Sequence, residues 1–348
     1  MLRRFVHAIV VLAFIFSLSA LPRVASAQTS GTLFFTTYSA PASDIQGTLN
    51  KMTYSFTGNS LALGAPELLH SFGSEGVDAM ALLPDTTILI GGKDGSVHNV
   101  RANGSLVGNF TTGGAEGFHI SFSPNGKNAY TAGLPGQLSR IPIGPTSNGT
   151  GLTLTGDDTQ ITSIAFVNNN NDTAFYTSSS ARGDGNFGII DLNTLKTTRK
   201  LSNLPAAHGL VFDQFSQTLI LAGANHITQI FPGAPDQIVS DFQINLGDNT
   251  GSDRFDQLVT DGSGRLFATV NDGTMLFMNY NFSQRVGAPG NFVATQFVAP
   301  FLTGVGLVPK FSEPPSGVPL PAAVWSGMSL IGGMGVFKFA RKRRAANG

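Results

Sequence analysis

The chain has 348 residues, and its 21 Lys and Arg balance 21 Asp and Glu. The balance is a cancellation between regions: every acid lies between Asp44 and Glu313, eight bases lie outside that stretch, and the enclosed body keeps 13 bases for a net −8. An acidic body lacks the basic face that phosphate contacts require, which argues against a nucleic-acid partner, and the absence of Cys excludes disulfides, thiolate metal sites, a cysteine nucleophile and iron–sulfur clusters.

The first segment is basic at Arg3 and Arg4, almost wholly apolar from Phe5 to Leu21, and ends in Ala25-Ser26-Ala27. A basic start, an apolar run and small residues at Ala25 and Ala27 predict a secretory signal peptide over 1–27, with signal peptidase as its partner and Gln28 as the new N-terminus.

The body, 28–311, is rich in glycine and poor in charge, with 42 Gly and only 12% charged residues in the chain. That composition suits many short strands joined by tight turns rather than charged amphipathic helices. Gly31 to Tyr38 and Gly47 to Tyr54 read as two strands with no strand before them. A three-strand pattern then recurs five times, from Met80, His119, Ser163, Gly209 and Gln257, and Gly304 to Pro309 repeats its first strand alone. Aligned turn positions at Pro84, Pro124, Asn168, Gln214, Gly262 and Pro309 are 40, 44, 46, 48 and 47 residues apart. This period belongs to four-stranded propeller blades. The expected fold is an all-β, six-bladed β-propeller closed by pairing the N-terminal strands with the C-terminal one, which removes open sheet edges.

In a propeller the first strand of each blade lines the central channel. The residue six before each turn is Asp78, Phe118, Thr162, His208, Asp256 or Thr303, with Glu116 and His119 adjacent to Phe118. Asp78, His208 and Asp256 could act as acid and base, and Asp78, Glu116, His208 and Asp256 could ligate a metal, Ca²⁺ being the cofactor considered. Without that site the reading is a non-catalytic propeller with no cofactor. Asp157-Asp158 and the run Asn168 to Asp172 are weaker calcium candidates that turn chemistry explains as well. His98 and His226 read as packing or surface residues. No Gly-x-Ser-x-Gly, His-Glu-x-x-His or complete phosphate-loop motif is present.

The last segment opens with prolines at 314, 315, 319 and 321, which hold 312–321 extended. The 19 residues 322–340 predict a single transmembrane helix, Gly-interrupted and just long enough to span about 30 Å, with 341–348 as a basic cytoplasmic tail. Val318-Pro319-Leu320-Pro321, the Gly-rich apolar run and the Arg341-Lys342-Arg343-Arg344 cluster together resemble the PEP-CTERM sorting signal of exosortase substrates, in a variant with Leu320 where Glu is commonest. The resemblance implies an exosortase-type partner and an inner-membrane-anchored precursor that is displayed on the cell surface or released, often with exopolysaccharide. Gly31 to Pro309 resembles the broad group of WD-repeat-like, NHL-like and lactonase-type propellers. The resulting expectation is an exported surface or matrix propeller binding polysaccharide or protein partners; the alternative is an exported propeller enzyme of lactonase, lyase or hydrolase type using the axial residues.

Overall fold

Runs of Val, Ile, Leu, Phe and Thr, punctuated by Asp, Asn and Gly, fold into strands joined by tight turns. The turns are held by side-chain oxygens: Asp213 accepts the Ser216 amide and hydroxyl, Asp191 accepts the amides of Asn193 and Thr194, and Ser123 bonds Asn125 and Asn128. The computed structural model describes residues 29–308 apart from 39–46, 58–59, 74–75, 84–86, 115, 134–136, 145–147, 168–169, 180–184, 245–254, 263, 271–273, 280–296 and 299–301. The signal peptide, Pro-rich linker, sorting motif, transmembrane segment and basic tail expected from the sequence lie outside the described residues.

The chain begins with β1 (Thr29–Tyr38), β2 (Gly47–Thr57), β3 (Ser60–Leu63) and β4 (Glu67–Ser71), then β5 (Val77–Leu82), β6 (Thr87–Gly92), β7 (Ser96–Arg101) and β8 (Leu106–Thr111). Next come β9 (His119–Phe122), β10 (Asn128–Gly133), β11 (Gln137–Pro142) and β12 (Thr150–Leu152). β13 (Thr155–Gly156), β14 (Ser163–Ala165), β15 (Thr173–Ser179), β16 (Gly185–Asp191) and β17 (Lys196–Leu204) follow. The last groups are β18 (Ala207–Asp213), β19 (Thr218–Gly223), β20 (His226–Ile230) and β21 (Ile238–Gln243), then β22 (Phe255–Thr260), β23 (Arg265–Val270), β24 (Thr274–Asn279), β25 (Phe297–Val298) and β26 (Leu302–Val308).

Five sheets are blades made of consecutive strands: β5 to β8, β9 to β12, β14 to β17 with β13 added parallel to β17, β18 to β21, and β22 to β25. A further sheet runs β26-β1-β2, with both β3 and β4 on the far edge of β2. It takes its first strand from the other end of the body and splits its outer strand in two. The expected count of six blades is therefore corrected to five blades plus a composite closing sheet. The expected transmembrane helix is not part of the described structure either: among the described residues there is no helix long and apolar enough to cross a membrane.

Apolar side chains fill the spaces between neighbouring sheets in order around the body. Phe34 and Leu49 pack with Val77, Ile88 and Ile90; Leu89 and Phe110 with Ile120 and Ala129; Tyr130 and Leu138 with Ile164 and Tyr176; Phe187 and Leu204 with Leu210 and Leu221; Ile220 and Ile227 with Phe255 and Leu266. Tyr54 then meets Phe267 edge-on at 5.2 Å, so the last blade touches the closing sheet. The second strands β19 and β23 are buried at every residue, whereas outer strand β8 is mostly exposed. The sequence gradient from Leu-Ile-Leu-Ala to Thr, Lys and Arg is this radial position.

Asp158 is not a calcium ligand in waiting. Its carboxylate, 8% exposed, accepts Arg199 Nη2 at 2.8 Å and Nε at 3.1 Å, the Tyr176 hydroxyl at 2.7 Å and Asn186 Nδ2 at 2.8 Å. It straps the segment carrying β13 across β17. Asn170 likewise spends its side-chain oxygen on the amides of Asp172 and Thr173, an Asx turn.

Two outcomes follow from this architecture. A chain ending at residue 300 lacks β26, which pairs with β1 from Thr32↔Val308 to Thr37↔Leu302; it should lose solubility and melt at a markedly lower temperature as one transition. Retention of the parent melting temperature in calorimetry would show that closure is dispensable. Burial raises the Asp158 carboxyl, but the bonds from Arg199, Tyr176 and Asn186 outweigh it and hold the group below its ordinary range. Its stabilisation is therefore complete above the unfolded-state pKa and lost as pH falls through the lower folded value. Asp158→Asn should cost about 1–3 kcal/mol at neutral pH, with the gap to wild type narrowing below pH ~4 in urea titrations.

Candidate functional site

Besides β26 against β1, three inner strands carry a register irregularity at their beginning. In β5 against β6 it falls between Val77 and Met80, in β18 against β19 between Ala207 and Gly209, and in β22 against β23 between Phe255 and Leu258. A bulge opposes two residues to one and turns side chains away from their regular alternation. The residues inside these three irregularities are the pair Asp78 and Ala79, His208, and the pair Asp256 and Gln257. β9 pairs with β10 without such a shift, starting His119↔Ala132. There the inward residue is His119 rather than Phe118, which the sequence column assigns.

The segment before β9 is seated by a glycine pair. A Cβ on Gly91 would lie 2.3 Å from the Gly117 carbonyl oxygen, and one on Gly117 would lie 2.8 Å from the Gly91 Cα. Only glycines allow this approach, and the Gly117 amide donates to the Gly92 carbonyl at 3.1 Å while its own carbonyl accepts the Ala79 amide at 3.3 Å. These bonds tie the start of β9 to β5, which carries Asp78, and to its neighbour β6.

The result is a buried polar cluster. His119 Nε2 stands 3.1 Å from His208 Nδ1, and the same His208 Nδ1 stands 3.1 Å from Asp256 Oδ1 and 3.4 Å from the Asp256 carbonyl. The two imidazoles meet edge to face, with centroids 4.7 Å apart. Gln257 Nε2 donates to the Phe118 carbonyl at 2.8 Å and reaches Asp78 Oδ1 and the Asp78 carbonyl at 3.4 Å. Asp78, His119 and Asp256 are each about 5% exposed, whereas His208 keeps 33% of its side chain in contact with solvent.

This environment drives neighbouring groups apart. Burial, reinforced by the negative charge of Asp256, pushes the Asp78 carboxyl well above the ordinary carboxylate range. Burial also acts on Asp256, but the bond and charge of His208 win and hold it low. His208 is raised because Asp256 outweighs its desolvation. His119, desolvated and next to His208, falls to about 3 and is a neutral imidazole near pH 7.

A cavity of about 260 Å³ adjoins the cluster. Met80, Ser121, Phe122, Val211 and Leu258 line it from inner strands β5, β9, β18 and β22, and His119 and Gln257 belong both to its wall and to the cluster.

Of the residues named from sequence, the fold unites Asp78, His208 and Asp256, with His119 joining them. Glu116 is not in the cluster; it lines a separate surface hollow with Lys93, Asp94 and Ser96. Thr162 is used structurally, bonding the Thr177 hydroxyl and the Ala207 carbonyl. The side chain of Thr303 lies outside the described residues. Gln257 is the residue that sequence reasoning misses, because a bulge is needed to bring it inward beside Asp256. His98 packs against Phe72 and bonds Ser96 and Asn109, and His226 pairs with Asp241 at 2.9 Å.

No protein-family model and no curated protein matches the chain. Among solved structures it is similar to a chain of Kuenenia stuttgartiensis hydrazine synthase, with 13% identity over 66% of this chain and 73% of that one and a TM-score of 0.47. The likeness carries no statement about activity. The described body is β-propeller-like on its own sheets.

The two buried carboxylates should respond unequally to amidation. Asp78→Asn removes a carboxyl whose charged form burial and the Asp256 anion disfavour, and should cost less at neutral pH than the loss of a carboxylate held low by its partners, below about 1 kcal/mol. Asp256→Asn removes the anion facing His208 and should cost about 1–3 kcal/mol. A raised histidine contributes fully below its unfolded pKa and loses that contribution as pH rises through the folded value. The Asp256→Asn deficit in urea unfolding should therefore be larger at pH 6 than at pH 9.

Proposed function

We propose that the chain is an exported envelope or matrix propeller of a Gram-negative-type cell whose central cavity binds a compact small molecule. The observation that carries this reading is the polar cluster of Asp78, His119, His208, Asp256 and Gln257, gathered from four inner strands, which reaches through His119 and Gln257 a cavity whose other side chains are mostly apolar. Small-molecule sites have this composition, apolar walls with a few convergent polar groups. At about 260 Å³ the space is below the usual drug-sized range of about 300–1,000 Å³, so the ligand is compact. Its apolar body lies against Met80, Phe122 and Leu258, and its polar head reaches His119 and Gln257. A scaffold that only displayed surface loops to polysaccharide or protein would gain nothing from buried, partly desolvated polar groups at this place.

The sequence ends support the location. Signal peptidase acts after Ala27, an exosortase-type enzyme recognises Val318 to Pro321, and Arg341 to Arg344 hold the precursor in the inner membrane until then.

The test uses exported protein recovered from a Gram-negative host. Intact mass should give a chain that starts at Gln28 and lacks the basic tail; exported protein that retains Phe5 to Leu21 would contradict the targeting. For the cavity, thermal melting is followed with three six-carbon probes: hexanoate, hexylamine and a neutral lactone. At least one should raise the melting temperature of the wild type and fail on Ala81→Phe, which places a ring in the cavity. Absence of any shift, or an equal shift in the variant, removes the ligand-site reading.

A further inference from the structure

His119, His208 and Asp256 come from three different sheets, and the nearest donor atoms of the three side chains all lie within 4.8 Å of one another. Two of the separations, His119 Nε2 to His208 Nδ1 and His208 Nδ1 to Asp256 Oδ1, are 3.1 Å. With metal–ligand bonds of about 2.0–2.2 Å, adjacent donors around one ion lie about 3.0–3.5 Å apart at right-angle or tetrahedral geometry.

A hydrogen-bonded relay is the competing explanation, and the atoms speak against it. In a relay the central imidazole uses one ring nitrogen toward the carboxylate and the other toward the next partner, as in Asp–His–nucleophile arrangements. Here both contacts, and a third to the Asp256 carbonyl at 3.4 Å, fall on the same atom, His208 Nδ1. One nitrogen has either one proton or one lone pair to offer. Three donor atoms gathered around one spot are satisfied together by a cation.

We propose that His119 Nε2, His208 Nδ1 and an Asp256 carboxylate oxygen bind one divalent transition-metal ion of the zinc class. Two imidazoles and one carboxylate form a borderline donor set that suits Zn²⁺ and its neighbours and not the all-oxygen shell of Ca²⁺ considered from sequence. Three protein ligands leave at least one position open, the arrangement of a reactive or ligand-accepting centre rather than a closed structural one. His208 is partly solvent-exposed and His119 lines the cavity, so the ion has an entry path and the open position has a place for a ligand head. The proposal deepens the cavity reading above but stands on separate atoms and is tested separately.

The full mature protein is stripped with chelator, dialysed and titrated with ZnCl₂ alone by calorimetry, with Co²⁺ absorption as a second readout. Wild type should take up one equivalent, and the Co²⁺ form should show ligand-field bands. His119→Phe and His208→Phe, each verified as folded by circular dichroism, should bind at least about 100-fold more weakly, while Glu116→Gln binds as wild type does. Should the phenylalanine variants not fold, one equivalent of Zn²⁺ added to wild type should shift the ring signals of two histidines and no more in proton–nitrogen spectra. Folded wild type that takes up no stoichiometric zinc, or folded His variants that bind as tightly, overturns the proposal. Probe-induced melting shifts that persist in chelator-treated protein would leave the cavity reading standing without the metal; zinc uptake with no response to any probe would do the reverse.

Discussion

The pairing of β26 with β1 is the constraint on which the rest of the structure depends. Five of the seams between neighbouring sheets share an apolar filling and the sixth has the Tyr54–Phe267 contact, so every sheet is buried only if it has a neighbour on both faces. In an open row the first and last sheets would each expose one such face. Here the last strand of the body joins the first sheet, and β26 packs against β5 on one side and β22 on the other. Second strands such as β19 and β23 can then be buried at every residue. The same closure encloses the space around the axis and sets the inner strands side by side, which allows residues as distant in sequence as Asp78 and Gln257 to meet.

The site depends on departures from regularity inside this frame. Regular strands alternate their side chains, and an inner strand would point every second residue toward the axis. Bulges in β5, β18 and β22 break the alternation where the polar residues sit. Burial is expensive for charged groups, and the cluster manages it by unequal sharing: one carboxyl is pushed up toward its protonated form, the other is held low against a raised imidazole, and the second imidazole stays neutral. Gln257, a neutral amide, supplies donors to a carboxyl and a carbonyl without adding charge. Such a constellation keeps chemistry in reach at a buried place.

Much of this was legible in the sequence and some was not, for physical reasons. The repeat showed because strand length and turn chemistry have a period, so Asp213 and Gly262 mark their turns and Gly304 to Pro309 stands out as a strand without partners in its own stretch. Asp78, His208 and Asp256 aligned because each sits at the same place in its repeat. His119 fell one position off the column, and Gln257 was invisible, because a one-residue bulge leaves no mark in residue type. Asp157-Asp158 looked like a cation site because its answering groups, Arg199, Tyr176 and Asn186, are 18 to 41 residues away and nothing local names them. The split of the closing sheet's outer strand into β3 and β4 was equally hidden, since either short run alone would serve as an edge.

The origin of β26 also sets a clock. A chain emerging from its N-terminus presents β1 and β2 at once, yet the strand that covers the open edge of β1 ends at Val308. At roughly 5–20 residues per second of synthesis, the interval between them lasts on the order of ten seconds to a minute. Throughout it the first sheet has a free edge and each new blade has a neighbour on one side only. Such long-range closure makes folding late rather than progressive. A chain that cannot close until its last strand arrives keeps strand edges open for the whole of that time, and those edges are what a neighbouring chain could pair with.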